Sequence, residues 1–566
     1  MKFALSRYTL DAFWEQAAAR YADRPALALA GEKPFTYAEM DVRISALRRD
    51  LLRLGVKKGD KIAILGSGCP NWGVAFLAVT TLGAVAVPIM EDFPEADIDH
   101  IIAHSDSSAL FISAPLYQSL NLNCLRNLGH IILLDDFSSQ PAGRHGESFW
   151  SQLQKIPQRI IHSVTKPAES APSEIHEDDV AEILYTSGTT GQSKGAQLTH
   201  KNLVSNLFEG PDLLGIIDDH SVALAFLPMA HAFGCTSAFL SLLYCGTAIH
   251  FLDKKPSPKV LMKAMQDVRP HIIGAVPLVF EKIYQKQVKP LLLEKRTLRL
   301  LMKSGFGRRV VHRLAGRKVR RAMGGRLRCA IIGGASLNLE VETFLREGGI
   351  PYAVGYGLSE CSPLVTFSSR EKTRLGSVGH PITDVTIKIA DPDARTGVGE
   401  ILIKGPNVMR GYYKNDAENR KAFTPDGWFI SGDRGYLDED NYLYIKGRSK
   451  NVIVGPSGEN IYPEVIEEKI KESLWVEEAL VSMTGEGLAA RVYPDYNAIQ
   501  VLSENRDESD LAGQVAGILE GVRAEVNLKL PPAARIKKVI EQTEPFLKTP
   551  TNKIKRAAYL PEGLAE

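Results

Sequence analysis

The residues best suited to chemistry lie in one stretch, Leu184-Tyr185-Thr186-Ser187-Gly188-Thr189-Thr190-Gly191-Gln192-Ser193-Lys194-Gly195. Gly188, Gly191 and Gly195 let a loop turn its backbone N–H groups toward an anion. Thr186, Ser187, Thr189 and Thr190 add hydroxyl donors, and Lys194 adds a positive charge. That composition suits a cradle for polyphosphate, and it also suits a plain turn. The P-loop pattern G-x-x-x-x-G-K-[ST] does not fit. Five residues after Gly188 stands Ser193 rather than Gly, and Lys194 is followed by Gly195 rather than a hydroxyl residue.

Further along, two strand-and-glycine segments follow one another. Cys329-Ala330-Ile331-Ile332 runs into Gly333-Gly334-Ala335, where missing side chains admit a ligand to the backbone. Val354-Gly355-Tyr356-Gly357-Leu358-Ser359-Glu360 adds an aromatic ring and a carboxylate, apt for a purine face and for a hard cation. Asp433, after Ser431-Gly432, reads as a turn residue or as paired acceptors for a vicinal diol. His231, in Leu227-Pro228-Met229-Ala230-His231, is by itself a core histidine. Lys553 is by itself one more surface charge.

Taken in order, these segments resemble the motifs of the adenylate-forming superfamily, which holds acyl-CoA synthetases, nonribosomal-peptide adenylation domains and luciferases. The first stretch is similar to its signature loop. Tyr356 to Glu360 is similar to its Y-G-x-T-E motif, with Ser359 for Thr. Ser431-Gly432-Asp433 is similar to its [ST]-G-D motif, and Gly399 to Gly405 with Met409 to Tyr413 resembles a largely structural one. The C-terminal Thr549-Pro550-Thr551-Asn552-Lys553 is similar to the T-P-T-x-K of fatty acyl members, with Asn552 where Gly is commoner. The closest likeness is to long-chain acyl-CoA synthetases.

The resemblance implies roles. ATP or AMP would be held by Thr186, Ser187, Gly188, Thr189, Thr190, Gly191, Lys194, Gly333, Gly334, Ala335, Tyr356, Gly357, Ser359, Asp433 and Arg448. Mg²⁺ would be held by Glu360 with Thr186. Lys553 would be the catalytic lysine, and His231 would lie at the acyl pocket. The Ser237 to Tyr244 helix would wall an acyl tunnel or form core. Lys450 would be the hinge, followed by Asn451 where an acidic residue is usual, and Gly458 would line the pantetheine channel of coenzyme A. The expected reaction joins a medium- to long-chain fatty acid to CoA through an acyl-adenylate, releasing AMP and pyrophosphate. Rival readings are an acyl-AMP ligase loading a carrier protein, a luciferase-like oxygenase, and a non-catalytic nucleotide-binding protein at a membrane.

The elements needed to position these residues are legible as alternation. Thr9 to Tyr21 has helical spacing, with Leu10, Phe13, Trp14 and Ala17 on one side. Thr36 and Glu39 have the spacing of a capping box. Strands are expected at Lys61 to Leu65, Ala84 to Pro88, Ala109 to Ile112 and Asp179 to Ile183, and helices at Asn71 to Leu82, Ile98 to His104 and Leu198 to Leu207. Strands alternating with helices predict parallel βαβ units. After Lys446 come strands at Ala479 to Met483, Leu488 to Tyr493 and Ile536 to Ile540, with a helix over Leu511 to Leu528. The expected architecture is therefore α/β: a large N-terminal domain of βαβ-type subdomains, 1–446, and a small mobile α+β domain, 447–566.

The 566 residues exceed one ordinary domain, and 44% apolar with 24% charged residues is a globular composition. A net charge of +2 gives no bulk attraction to nucleic acid. Six scattered cysteines without a C-x-x-C pair argue against zinc or a disulfide framework and fit a reducing, cytoplasmic setting. Val222 to Ile249 is apolar but broken by Pro228, His231, Gly234 and Gly246, so it reads as buried elements rather than a membrane span. One segment is strongly biased: Lys295 to Arg328 holds thirteen Lys and Arg and no acid. It reads as a solvated helical face, as a surface for anionic lipid or cofactor phosphates, or, least of all, as a nucleic-acid surface.

Overall fold

The computed structural model describes residues 5–121, 123, 125, 128–140, 174–186, 193–208, 215–294, 296–369, 372–455, 459–503, 511–549 and 553–560. The chain forms two compact units. One comprises Met1–Ile273, Ser359–Pro363 and Pro406–Asp416; the other comprises Gly274–Leu358, Leu364–Gly405 and Ala417–Glu566. The expected boundary after Lys446 falls inside the second of these.

In the first unit the expected βαβ alternation is present. Lys61–Leu65, Val85–Ile89, Ser107–Ile112 and His130–Leu133 are parallel neighbours, connected in part by the helices Pro70–Thr80 and Glu95–Ser105. Pro70 sits in the first turn of its helix, where its fixed φ costs nothing and its missing N–H is not needed. The sheet's interior is a continuous apolar layer that includes Ala63, Leu65, Val87, Ile89, Leu110 and Ile112, all without solvent exposure. The sheet continues through Val180–Thr186 and Lys194–Thr199 to the short strand Gly411–Tyr412. A second sheet of this unit sets Pro25–Leu29, Ala248–Phe251 and Val222–Ala225 in parallel, with Ile272 and Ile273 beside Ala223 and Leu224. The capping box is formed as expected. Glu39 N–H donates to Thr36 Oγ1 at 3.2 Å, and Thr36 N–H donates to Glu39 Oε2 at 2.8 Å.

The second unit holds Cys329–Ile332 parallel to Tyr352–Gly357, which pairs antiparallel with Leu364–Phe367. An antiparallel sheet orders Thr386–Ala390, Gly399–Lys404, Phe429–Leu437 and Leu443–Arg448. Its C-terminal part has the α+β form expected from sequence. Val476–Thr484, Gly487–Pro494 and Lys538–Glu541 make a three-stranded sheet, and the core gathers Ile466, Ile470, Val481, Ala490, Val515 and Leu519.

Three element expectations need correction. Leu184, Tyr185 and Thr186 belong to the Val180–Thr186 strand rather than to a loop, and Lys194 and Gly195 already belong to the returning strand, paired with Thr186 and Tyr185. The helix expected from Leu198 begins at His200, because Thr199 is its cap and accepts from Asn202 N–H. The helix expected over Ser237 to Tyr244 is a π-helix, Phe233–Leu240, passing into one α-turn, Ser241–Tyr244. A Cβ at Gly234 would lie 2.0 Å from the Pro228 carbonyl oxygen, so the start of that helix requires glycine. Among the described residues no helix is long and apolar enough to cross a membrane.

Glu182 is an anomaly inside the first sheet. Strand alternation puts it on the face shared by Leu184 and Thr186, opposite Ile183 and Tyr185. It has no solvent exposure, and among the described residues neither carboxyl oxygen has a hydrogen-bond partner. Burial pushes its carboxyl from 4.5 up to about 8, so it is mostly protonated at neutral pH. A raised folded pKa means that stability is full below 4.5 and is lost as pH rises toward about 8. The Glu182→Gln protein is therefore expected to gain melting temperature relative to wild type progressively across that interval and then level off. Parallel melting curves against pH check this, and a difference independent of pH would contradict it.

Candidate functional site

In the second unit three of the sequence-marked residues converge on one carboxylate. Asp433 lies in Phe429–Leu437 directly opposite Arg448, the last residue of Leu443–Arg448. The register brings Arg448 Nε to 3.3 Å from Asp433 Oδ1. Tyr356, on Tyr352–Gly357, donates its hydroxyl to Asp433 Oδ2 at 2.8 Å. Gly432 takes φ +72°, which an L side chain rarely adopts. The turn is also held by Ser431, whose Oγ donates to the Ile401 carbonyl at 2.7 Å and accepts from Asp433 N–H at 3.1 Å.

Asp433 is only 6% exposed. Burial pushes its carboxyl above the ordinary 3.8, while the Arg448 charge, the Tyr356 hydroxyl and the Lys553 charge oppose that shift. Lys553 thus acts on the same carboxylate through its field. Its backbone is tied to Thr549: Thr549 N–H donates to the Lys553 carbonyl at 2.8 Å, and Lys553 N–H donates to Thr549 Oγ1 at 3.2 Å. Gly333, Gly334 and Ala335 follow the Cys329–Ile332 strand, with Gly334 at φ +85°. Lys450 lies in the one-turn 3-10 helix Ser449–Asn451. Ser449 donates to Glu400 Oε2 at 2.8 Å, and Asn451 donates to Glu464 Oε1 at 2.5 Å.

The first unit assembles a different group. Glu360, in the single turn Ser359–Cys361, accepts from the Tyr412 hydroxyl at 2.9 Å. Met409 N–H donates to the Glu360 carbonyl at 2.8 Å. Lys194 Nζ stands 5.6 Å from the centre of the Tyr412 ring, and Thr186 Oγ1 donates to the Lys194 carbonyl at 3.4 Å. His231 Nδ1 accepts from Phe233 N–H at 3.2 Å, which leaves the proton of a neutral ring on Nε2. Ser187, Gly188, Thr189, Thr190, Gly191 and Gly458 lie outside the described residues.

Three contributors escape a reading of motifs. Tyr412 sits in a segment expected to be merely structural, yet it holds Glu360. Glu400 and Glu464 anchor Ser449 and Asn451 on either side of Lys450. In the fold Gly447 leaves room for Glu464: a Cβ there would meet Glu464 Oε2 at 2.7 Å.

The position of Asp433 sets binding against stability. With its folded pKa raised, the carboxyl weighs on stability above the folded value and relieves that weight as pH falls toward the ordinary 3.8. Asp433→Asn keeps an acceptor for Tyr356 and removes the buried charge. It is expected to melt at or above the wild-type temperature at neutral pH, with the gap narrowing in acid. A variant that melts lower at every pH would show that Asp433 serves the fold instead.

The chain matches the family described as AMP-binding enzyme over residues 14–413. A long-chain-fatty-acid–CoA ligase of Mycobacterium bovis is 30% identical to it, over 79% of this chain and 74% of that protein. A long-chain-fatty-acid–[acyl-carrier-protein] ligase of Arabidopsis thaliana is 27% identical over 96% of this chain and 84% of that protein. The solved structure of an anthranilate CoA ligase in complex with anthranoyl-AMP shares the fold, with a TM-score of 0.76 at 19% identity and 98% of both chains covered. With a family match across most of its length and a relative at this level of identity, the chain belongs to the AMP-binding enzyme family.

Proposed function

We propose that the protein is an AMP-forming acid–thiol ligase that activates a medium- to long-chain fatty acid with ATP and passes the acyl group to coenzyme A. The observation that carries this reading is the convergence of Tyr356, Asp433 and Arg448, with the charge of Lys553 felt at the Asp433 carboxyl. A carboxylate with two acceptor oxygens beside an aromatic ring and a guanidinium suits the ribose diol, base and phosphate of a nucleotide.

In the first half-reaction a carboxylate oxygen of the acid bonds to the α-phosphorus of ATP. The bond from that phosphorus to the bridging oxygen breaks, and pyrophosphate leaves. Both reactants are anionic, so the barrier lies largely in bringing them together. Lys553 lowers it by supplying a cation where they meet, and Asp433 and Tyr356 fix the nucleoside. The 184–195 stretch, with Thr186 and Lys194, receives the phosphates, and Gly333 to Ala335 leaves room beside the nucleoside. Glu360 and Thr186 would hold Mg²⁺. Few protein oxygens are what a Mg²⁺ delivered on phosphates requires, and the Tyr412 hydroxyl orients the Glu360 carboxylate. Bound there, the ion neutralises phosphate charge.

In the second half-reaction the thiol sulfur bonds to the acyl carbonyl carbon, the carbon–oxygen bond to AMP breaks, and the thiol gives up its proton. We assign His231 to the acyl pocket, Lys450 to the hinge and Gly458 to the pantetheine channel. On this reading 447–566 turns as a mobile domain against 1–446 between the halves, withdrawing Lys553. The likeness to an acyl-carrier-protein ligase supports a second acceptor, the pantetheine thiol of a carrier protein. The proposed setting is the cytoplasm, where dispersed thiols stay reduced.

Two measurements test this. Fatty-acid-dependent pyrophosphate release, followed with CoA, with a carrier protein and with neither, identifies the reaction and its acceptor. Lys553→Ala is expected to slow adenylate formation by about a hundredfold or more, the scale for losing a main electrostatic stabiliser. Thioester formation from pre-made acyl-adenylate should be largely spared. Equal loss in both halves would contradict the assigned role of Lys553.

A further inference from the structure

We propose that the outer face of the Gly305–Ala322 helix docks the protein onto an anionic lipid bilayer. The sequence bias alone leaves a solvated face equally open; the exposed apolar side chains decide between them. Phe306 is 80% exposed, Val310 43% and Leu314 60%, and their spacing of four sets them in one row along the helix. The preceding Arg296–Met302 helix leaves Leu300 and Leu301 exposed at 59% and 47%. Five large apolar side chains in fifteen residues of sequence are too concentrated for a merely solvated face.

Arg309, Arg313 and Arg317 run alongside that row and are exposed. With Val310, Leu314 and Arg346 they line a hollow of about 810 Å³. The helix is fixed from beneath. Val311, His312, Gly316 and Val319 are buried, and a Cβ at Gly316 would lie 2.2 Å from the Gly348 carbonyl oxygen. Glu347, which lines the same hollow, is only 11% exposed and is engaged by Arg308 at 2.8 Å, by His312 Nδ1 at 2.8 Å and, more loosely, by Arg309 Nε at 4.0 Å. One carboxylate thus faces several guanidiniums, and this face keeps a net positive charge.

An apolar row beside a basic row is the pattern of a helix lying in a bilayer interface. Side chains such as Phe306 and Leu314 enter the acyl boundary, and the arginines meet lipid phosphates. A nucleic acid would use the charge but gains nothing from a row of aliphatic side chains. This inference does not rest on the proposed reaction and survives its failure.

The test is co-sedimentation of the full chain with vesicles of phosphatidylcholine and phosphatidylglycerol in equal parts, against phosphatidylcholine alone. Binding is expected to the mixed vesicles only, falling at high salt as screening shortens. The triple change Arg309→Gln, Arg313→Gln, Arg317→Gln and the double change Phe306→Ser, Leu314→Ser are each expected to weaken it at least tenfold, with unchanged melting temperature. As a direct readout, Phe306→Trp should add fluorescence that brominated acyl chains quench. Equal binding to both vesicle types, indifference to both sets of changes, or an unquenched tryptophan would overturn the proposal. So would competition by duplex or single-stranded nucleic acid in place of lipid binding, or lipid-free self-association abolished by the Phe306 and Leu314 changes.

Discussion

The second unit is built around one buried carboxylate. Removing an ion such as Asp433 from water costs several kcal/mol, and the cost is met only if its oxygens find partners. Here the partners come from separate strands. Arg448 is supplied by the register of the neighbouring strand, and Tyr356 by a strand of another sheet. Neither is near Asp433 in sequence except through the fold. The second unit must therefore hold two sheets in register to keep the carboxylate in place. On the proposed reading a nucleotide would replace part of that partnership with ribose hydroxyls and phosphates, so binding and local stability would draw on the same hydrogen bonds.

The first unit follows a similar logic with a weaker device. Glu360 is held by the Tyr412 hydroxyl, and Tyr412 is carried by a two-residue strand paired to Lys194–Thr199. Thr186 and Lys194 face each other in register at the open end of the Val180–Thr186 pair. Glu182, four residues before Thr186 and on the same face, keeps a neutral acid inside this sheet. That polar group in the core marks a compromise between the strand and its neighbours.

Much of this was legible in the residues. Apolar runs separated by helical spacing foretold the parallel strands from Lys61 to Ile112, because burial on both faces leaves little choice of residue. Thr36 and Glu39 foretold their capping box, because that bond is local. Tyr356, Asp433 and Arg448 were marked by resemblance, and their meeting is a matter of register that no single segment expresses. The tie from Tyr412 to Glu360 and that from Glu464 to Asn451 were missed for the same reason: each joins residues whose local sequence looks like ordinary strand or helix. The helix expected over Ser237 to Tyr244 is instead a π-helix from Phe233 to Leu240, because apolar spacing over eight residues does not tell one helix type from another. The basic segment was legible as charge alone. Which of its apolar residues face outward depends on how its helix packs on Gly348.

In the proposed reaction a carboxylate oxygen of the acid attacks the α-phosphorus of ATP and leaves with AMP. The most direct test uses a fatty acid whose carboxylate carries heavy oxygen, incubated with the protein, ATP, Mg²⁺ and CoA, followed by mass spectrometry of the products. One labelled oxygen is expected in AMP and none in pyrophosphate. Label in inorganic phosphate with formation of ADP would instead mean an acyl-phosphate route, and unlabelled AMP would mean that no bond forms between the acid and the α-phosphate; either result would contradict it.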